Sequence, residues 1–317
     1  MAALTDGGTL APPRAIEDHL VTQFLTTPEK IIELDANAYK SIVSEEIWGN
    51  GDAKHIKERA MQHAIRTVES ARKASINVVV GFVGSPIWHR VYQFPPAFGK
   101  VPIPDFKPLA TEDEIAAGFR QAAKELQPLL KACAKNGVFY ALEVHPTEIA
   151  FDYYTTLRFV DALEKEDKET AKWFGINFDP SHFIKQGIDP VAVLENLPPS
   201  LIKYVHVKDA VNHLIGLPLQ GNLKGNLNSH LPFGDPRRAS DFALPGEGNA
   251  VWAGTRGIFT VFNKIGYDGP NEIEYEQAGI ERFSGVKKAA DFVKACQSQI
   301  GAGFEKAFDR ASQPSQS

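Results

Sequence analysis

The sequence predicts an α/β protein in which a parallel sheet is covered by helices. Three observations carry that prediction. Apolar runs and amphipathic stretches alternate strictly along most of the chain. The apolar runs lack the every-second-residue polar pattern, as strands buried on both faces do. Turn signals such as Gly84-Ser85-Pro86 close the runs.

Taken in order, Asp18 to Phe24 is the first candidate strand. Residues 56 to 75 have apolar positions at helical spacing and lead into the strand Ile76 to Val83. The same step recurs as 112 to 136 into Val138 to Val144, Tyr154 to Lys172 into Gly175 to Phe178, and Asp189 to Leu201 into Tyr204 to Val207. A helix over Gly254 to Ile265 precedes the strand Asn271 to Tyr275, and a helix over Gly285 to Ser298 closes the pattern. That makes six strands, two short of a closed eight-stranded barrel. The stretch Asp209 to Trp252 is rich in Gly, Asn and Pro, and a connection of this length is usually a lid or disordered. Because it carries His213, His230, Asp235, Arg237 and Arg238, it is expected to cover a substrate, with His230 and Arg237 among the contacts. The organisation expected is a leader over residues 1–15, one catalytic domain over 16–310 with the long loop 209–252, and a disordered tail over 311–317.

Composition narrows the partners. The 317 residues are 43% hydrophobic and 23% charged, enough to bury a sizeable core. Thirty-four basic against thirty-nine acidic residues, with no block of like charge, disfavour nucleic acid and anionic membranes. Cys133 and Cys296 both lie in helical text, so a disulfide framework is excluded and a reducing, cytoplasmic location is expected. Neither a secretory start nor an uncharged apolar run of about 20 residues is present.

The chemistry is written where charge interrupts the apolar strands. Successive strands end in Glu143-Val144-His145, Asp179-Pro180-Ser181-His182, His206-Val207-Lys208-Asp209 and Glu272-Ile273-Glu274-Tyr275-Glu276. Carboxyl ends of parallel strands form the active face of a barrel, so distant residues converge there. Three carboxylates and one imidazole suit a divalent, fairly hard cation, with Mn²⁺ the first choice and Mg²⁺ or Co²⁺ possible. The expected ligands are Glu143, Asp179, His206 and Glu274. Alternation puts Glu272, Glu274 and Glu276 on one face, so spacing alone does not separate them. His145 is the candidate general base. His182 is either a second proton-transfer group or a partner that orients a ligand. Lys208 either stabilises an oxyanion or pairs with Asp209, and Trp88, His89 and Tyr92 are expected to wall the pocket.

These strand ends resemble the sugar phosphate isomerase/epimerase superfamily, the xylose-isomerase-like barrels that also include apurinic endonuclease type 2 folds. The resemblance spans roughly residues 16 to 310. More narrowly, Gly81-Phe82-Val83-Gly84-Ser85-Pro86-Ile87-Trp88-His89 and Ser229-His230-Leu231-Pro232-Phe233-Gly234-Asp235-Pro236-Arg237-Arg238 look like the branch acting on 3-keto-glycosides. That branch contains 3-keto-glycoside epimerases and the catalytic subunits of C-glycoside deglycosidases. The resemblance implies a TIM-barrel-like, xylose-isomerase-like fold, incomplete at the N-terminus because Met1 to Ala15 is too short for two preceding strand–helix units. It implies deprotonation next to a C3 ketone, followed by expulsion of the C1 substituent or by reprotonation to an epimer. A deglycosidase catalytic subunit working with a smaller chain is the first reading, with self-association as the fallback. An isomerase or epimerase is the second reading, and a non-catalytic barrel subunit stands as the alternative of another class.

Overall fold

The computed structural model describes residues 15–26, 40–41, 43–91, 110–215, 223–224 and 231–299. The chain forms two units, one of Met1–Phe178 with Ser200–Tyr204 and the other of Asp179–Pro199 with Val205–Ser317.

The first unit runs β1 (Ile16–Glu17), α1 (His19–Thr22), α2 (Glu45–Trp48), α3 (Ala53–Lys73), β2 (Val78–Gly81), α4 (Trp88–Val91) and α5 (Glu112–Asn136). It continues with β3 (Phe139–Glu143), α6 (Tyr153–Glu166), α7 (Lys168–Ala171), β4 (Phe174–Phe178) and the start of β5 (Ile202–Val207). The strands lie in sequence order, with Ile16 beside Val79, Val80 beside Ala141 and Glu143 beside Asn177 in parallel register. Every residue of β2 and β4 is buried, which is why these runs carry no polar alternation. Helix α5 shows how the sequence sets an element. Thr111 and Glu114 form a capping box at its start, and Gly137 ends it in the left-handed conformation at φ 66°. Its buried stripe of Phe119, Ala122, Leu126, Leu129, Leu130 and Cys133 is the face that covers the sheet.

Two expectations change here. Asp18 to Phe24 is not a strand: the paired residues are Ile16 and Glu17, and a helical turn follows. The carbonyl of Asp18 accepts both the Thr22 amide at 3.2 Å and the Thr22 hydroxyl at 2.5 Å, which closes the turn. The same hydroxyl accepts from the Phe82 amide at 2.9 Å. Gly81 makes room, since a Cβ there would lie 2.6 Å from both Thr22 Oγ1 and the Tyr140 hydroxyl. The predicted helix Tyr154 to Lys172 is two helices, because Asp167 leaves helical geometry and caps α7 through the Glu169 and Thr170 amides.

The second unit runs α8 (Pro180–Lys185), α9 (Pro190–Asn196), the end of β5, β6 (Asp209–Asn212), β7 (Ser240–Ala243), α10 (Ile258–Lys264), β8 (Asn271–Ile273) and α11 (Arg282–Gln299). His206 lies beside Glu272 in the parallel pair of β5 and β8. Counting β8, the parallel series has six strands, the number the sequence predicts, with Ile16–Glu17 standing in for Asp18 to Phe24. The stretch 209–252 is less loop-like than expected, since β6 and β7 pair antiparallel, Asp209 beside Ala243 and Asn212 beside Ser240. The buried Asp209 carboxylate gathers the stretch by accepting from the amides of Ala210, Gly246 and Ala250 and from the Trp252 indole at 2.9 Å. A Cβ on Gly248 would lie 2.2 Å from Asp209 Oδ1. Burial still pushes the Asp209 carboxyl above its ordinary pKa, against those donors.

Cys133 and Cys296 are buried free thiols, and burial pushes the Cys133 thiol up to about 12. Among the described residues no helix is long and apolar enough to cross a membrane. His230, Tyr92 and the tail 311–317 lie outside the described residues.

Candidate metal centre

The second unit brings three of the four expected ligands together. Strand alternation puts His206 and Lys208 on one face of the chain, and both side chains are almost fully buried. Asp179 reaches the same place as a helix cap: its Oδ1 accepts the Ser181 amide at 2.8 Å, and Pro180 sits at the first helical position. That leaves Asp179 Oδ2 for the centre. His206 Nδ1 lies 2.9 Å from Glu274 Oε2 and 3.8 Å from Asp179 Oδ2. The ligand atoms of Asp179, His206 and Glu274 all lie within 4.8 Å of one another. Geometry thus separates the acidic residues after β8 that spacing did not: Glu274 faces His206, and Glu276 faces Lys208 at 2.5 Å.

This set fits a divalent cation on two counts. Asp179 Oδ2 and Glu274 Oε2 are buried, and among the described residues no donor meets either with good hydrogen-bond geometry. Lys208 Nζ stands 3.7 Å from Asp179, 3.0 Å from Glu274 and 2.5 Å from Glu276, so one ammonium faces three carboxylates. Carboxylate oxygens with one imidazole nitrogen are a donor set for a divalent cation such as Mn²⁺, Mg²⁺ or Co²⁺. Burial works to raise the pKa of Asp179, but His182 and Lys208 prevail and hold the carboxyl well below the usual range. His182 stands beside it, with Nε2 3.2 Å from Asp179 Oδ2.

Glu143 and His145 belong to the first unit. Glu143 closes β3, is buried, and has Oε2 2.7 Å from His19 Nε2 and 3.4 Å from the Asn177 amide nitrogen. His145 lies just beyond the strand, its ring centroid 5.0 Å from that of Phe82. Its Nδ1 faces the Pro146 carbonyl.

His19 and Glu148 join the buried groups beside these residues without being expected from the sequence, His19 because it lies on the helical turn that replaces the expected strand Asp18 to Phe24. Glu148 is fully enclosed and accepts the amides of Val83 and Gly84 at 2.7 Å each, and burial pushes it up to about 7 despite those donors. A carboxylate set in Glu148-Ile149-Ala150-Phe151 was the available signal.

The expected substrate contacts are scattered. Trp88 stands edge-on to Phe151, with ring centroids 5.3 Å apart. His89 sits on α4, and its side chain lies outside the described residues. Arg237 is exposed and grips Asp235 through two nitrogens at 2.9 and 2.6 Å. Its neighbour Arg238 is the buried one, bound to Asp241 and to the carbonyls of Leu231 and Ser240.

The chain is 25% identical over 179 residues to the uncharacterized protein YfiH of Bacillus subtilis (strain 168), a match covering 56% of this chain and about half, 51%, of that relative. Among solved structures it is similar to 3-keto-D-glucoside 4-epimerase, YcjR, from E. coli in its apo form. That likeness has a TM-score of 0.50 at 13% identity, covering 77% of this chain and 73% of the other. It is also similar to the probable 3-DHS dehydratase AsbF of petrobactin synthesis from Bacillus anthracis, with a TM-score of 0.50 at 14% identity, covering 89% and 88%. At these identities the likeness is one of fold. The family model of the xylose isomerase-like TIM barrel matches residues 17–296, and with the sheet order and strand-end residues described above, the chain belongs to that family.

Proposed function

We propose that the chain is a divalent-metal-dependent enzyme of carbon-acid chemistry on glycosides oxidised at C3. Its ligands are Glu143, Asp179, His206 and Glu274, with manganese the first choice. The observation that supports this most is the convergence of Asp179, His206 and Glu274, with two buried carboxylate oxygens lacking hydrogen bonds and three carboxylates facing one ammonium. The bound cation supplies positive charge beside sugar oxygens, where negative charge gathers on proton removal.

His145 takes the C2 proton. In the first reading, the C2–H electron pair becomes a C1–C2 double bond, the C1–aglycone bond breaks, and the aglycone departs with the electrons of that broken bond and takes up a proton. This is the reaction of a C-glycoside deglycosidase. The second reading is reprotonation on the opposite face, an epimerisation. Both readings draw support from similar structures, one named a 3-keto-D-glucoside 4-epimerase and the other a probable dehydratase. His182 keeps Asp179 aligned or handles the second proton, and the Lys208 ammonium offsets oxyanion charge. Trp88, His89, His230 and Arg237 contact the glycoside in this reading. A smaller partner chain, or a second copy, completes the assembly.

The test is incubation with Mn²⁺ and a 3-keto-C-glycoside in deuterated water. Free aglycone supports elimination, and a C2 or C4 epimer supports the second reading. No product and no deuterium in recovered substrate would overturn both and leave the non-catalytic subunit.

A further inference from the structure

Beside the carboxylate cluster, the second unit sets three cations around two aromatic rings. Lys185 Nζ lies 3.8 Å from the centroid of the Phe242 ring and 5.0 Å from that of Phe233. Lys208 Nζ lies 4.2 Å from Phe242, and the Arg238 guanidinium 4.6 Å from Phe233. The two ring centroids are 5.2 Å apart. Since both ammonium groups sit that close to one ring, Lys185 and Lys208 are no more than about 8 Å apart.

The three cations differ in what balances them. Arg238 is matched by Asp241, and Lys208 by Glu274 and Glu276. Among the described residues, Lys185 Nζ has no carboxylate partner and donates no hydrogen bond. Aromatic faces offset part of the cost of taking an ammonium out of water, but they supply no counter-charge. Burial first, then Arg238 and Lys208, pull the Lys185 pKa down to about 8, and the more distant Glu276 and Asp241 carboxylates oppose them only in part, so most of the group stays charged at pH 7. Phe233 is 50% exposed, so the cluster meets solvent on that side.

We propose that Lys185, set between Phe233 and Phe242, binds an anionic substituent of the substrate, a carboxylate or a phosphate, while the ring that bears it lies against Phe233. The site deepens the function proposed above and rests on it for the molecule that carries the anion. The other cations are less suited to the task. Arg237 is held by Asp235, Arg238 by Asp241 and two carbonyls, and Lys208 by the carboxylates of the metal cluster. Of these four cations, Lys185 alone offers three donors not already committed among the described residues, close enough to Lys208 for one sugar-sized molecule to touch both sites.

Calorimetric titration of the full chain at pH 7 with D-glucuronate, glucose 6-phosphate and D-glucose tests this directly. At least one anionic probe is expected to bind 10-fold or more tightly than glucose, and the stronger of the two identifies carboxylate or phosphate. Lys185→Gln is expected to reduce the preference below about 3-fold, and Lys185→Arg to keep it, with melting temperatures near that of the wild type. Equal affinity for all three probes, no binding of either anion, or an unchanged preference in Lys185→Gln would overturn the site. Should Lys185→Gln fail to fold, the Lys185 Cε resonance of the wild-type chain decides: the glucuronate or phosphate probe must shift it and glucose must not. Binding does not depend on turnover. A preference lost in Lys185→Gln without deuterium exchange into a 3-keto substrate keeps this site and removes the carbon-acid reading, and exchange without any preference does the reverse.

Discussion

Asp179 does two jobs with two oxygens, and the division is testable. Its Oδ1 caps α8 through Ser181, while Oδ2 faces His182, His206 and Lys208. Asp179→Asn keeps a cap and removes the charge, so it is expected to stay folded while metal affinity collapses. Asp179→Ala also loses the cap, worth about 1 kcal/mol. A thermal melt beside a metal titration separates the two. His145→Ala is expected to slow deuterium exchange by about 10²–10⁴-fold with metal content unchanged, and undiminished exchange would remove His145 from the mechanism. Glu148 gives a pH signature. Its folded pKa of about 7 lies above the 4.5 of an ordinary glutamate, so the unfolded chain loses that proton first as pH rises. Stability therefore falls between about pH 4.5 and 7 and is flat above, by something on the order of 1–3 kcal/mol. Glu148→Gln retains an acceptor for the Val83 and Gly84 amides and should erase that slope, so parallel melting-temperature curves for the two proteins across this range would contradict the assignment.

Long elements were legible because their signals are local. The amphipathic stripe and Thr111–Glu114 box announce α5, and Thr111→Ala is expected to cost about 1 kcal/mol by urea denaturation. The β6 and β7 ribbon was not legible, because its strands have four residues each and their pairing joins positions about 30 apart. What organises it is one carboxylate, Asp209, whose indole donor sits 43 residues away. Trp252→Phe removes that donor while keeping most of the ring, with an expected loss of about 1–3 kcal/mol. A loss near zero would mean that the three backbone amides hold Asp209 without the indole. Thr22 taught the same lesson at β1: a hydroxyl that reaches back to the Asp18 carbonyl turned a β-like string into a helical turn.

At the scale of the whole molecule, the alternation of helix and strand gave the fold class, and ionised groups stood out against apolar strand ends. That contrast is why Asp179, His206 and Glu274 could be named from the sequence, and why Glu143 could be named with them. His19 and Lys185 carried no such contrast, since their importance comes from neighbours supplied by other elements. Metal content reports on this centre most directly. Elemental analysis of the full chain after loading with Mn²⁺ and gel filtration is predicted to find about one ion per chain in the wild type and almost none in Asp179→Asn. Equal metal in the two proteins, or none in the wild type, would contradict the assignment of this centre.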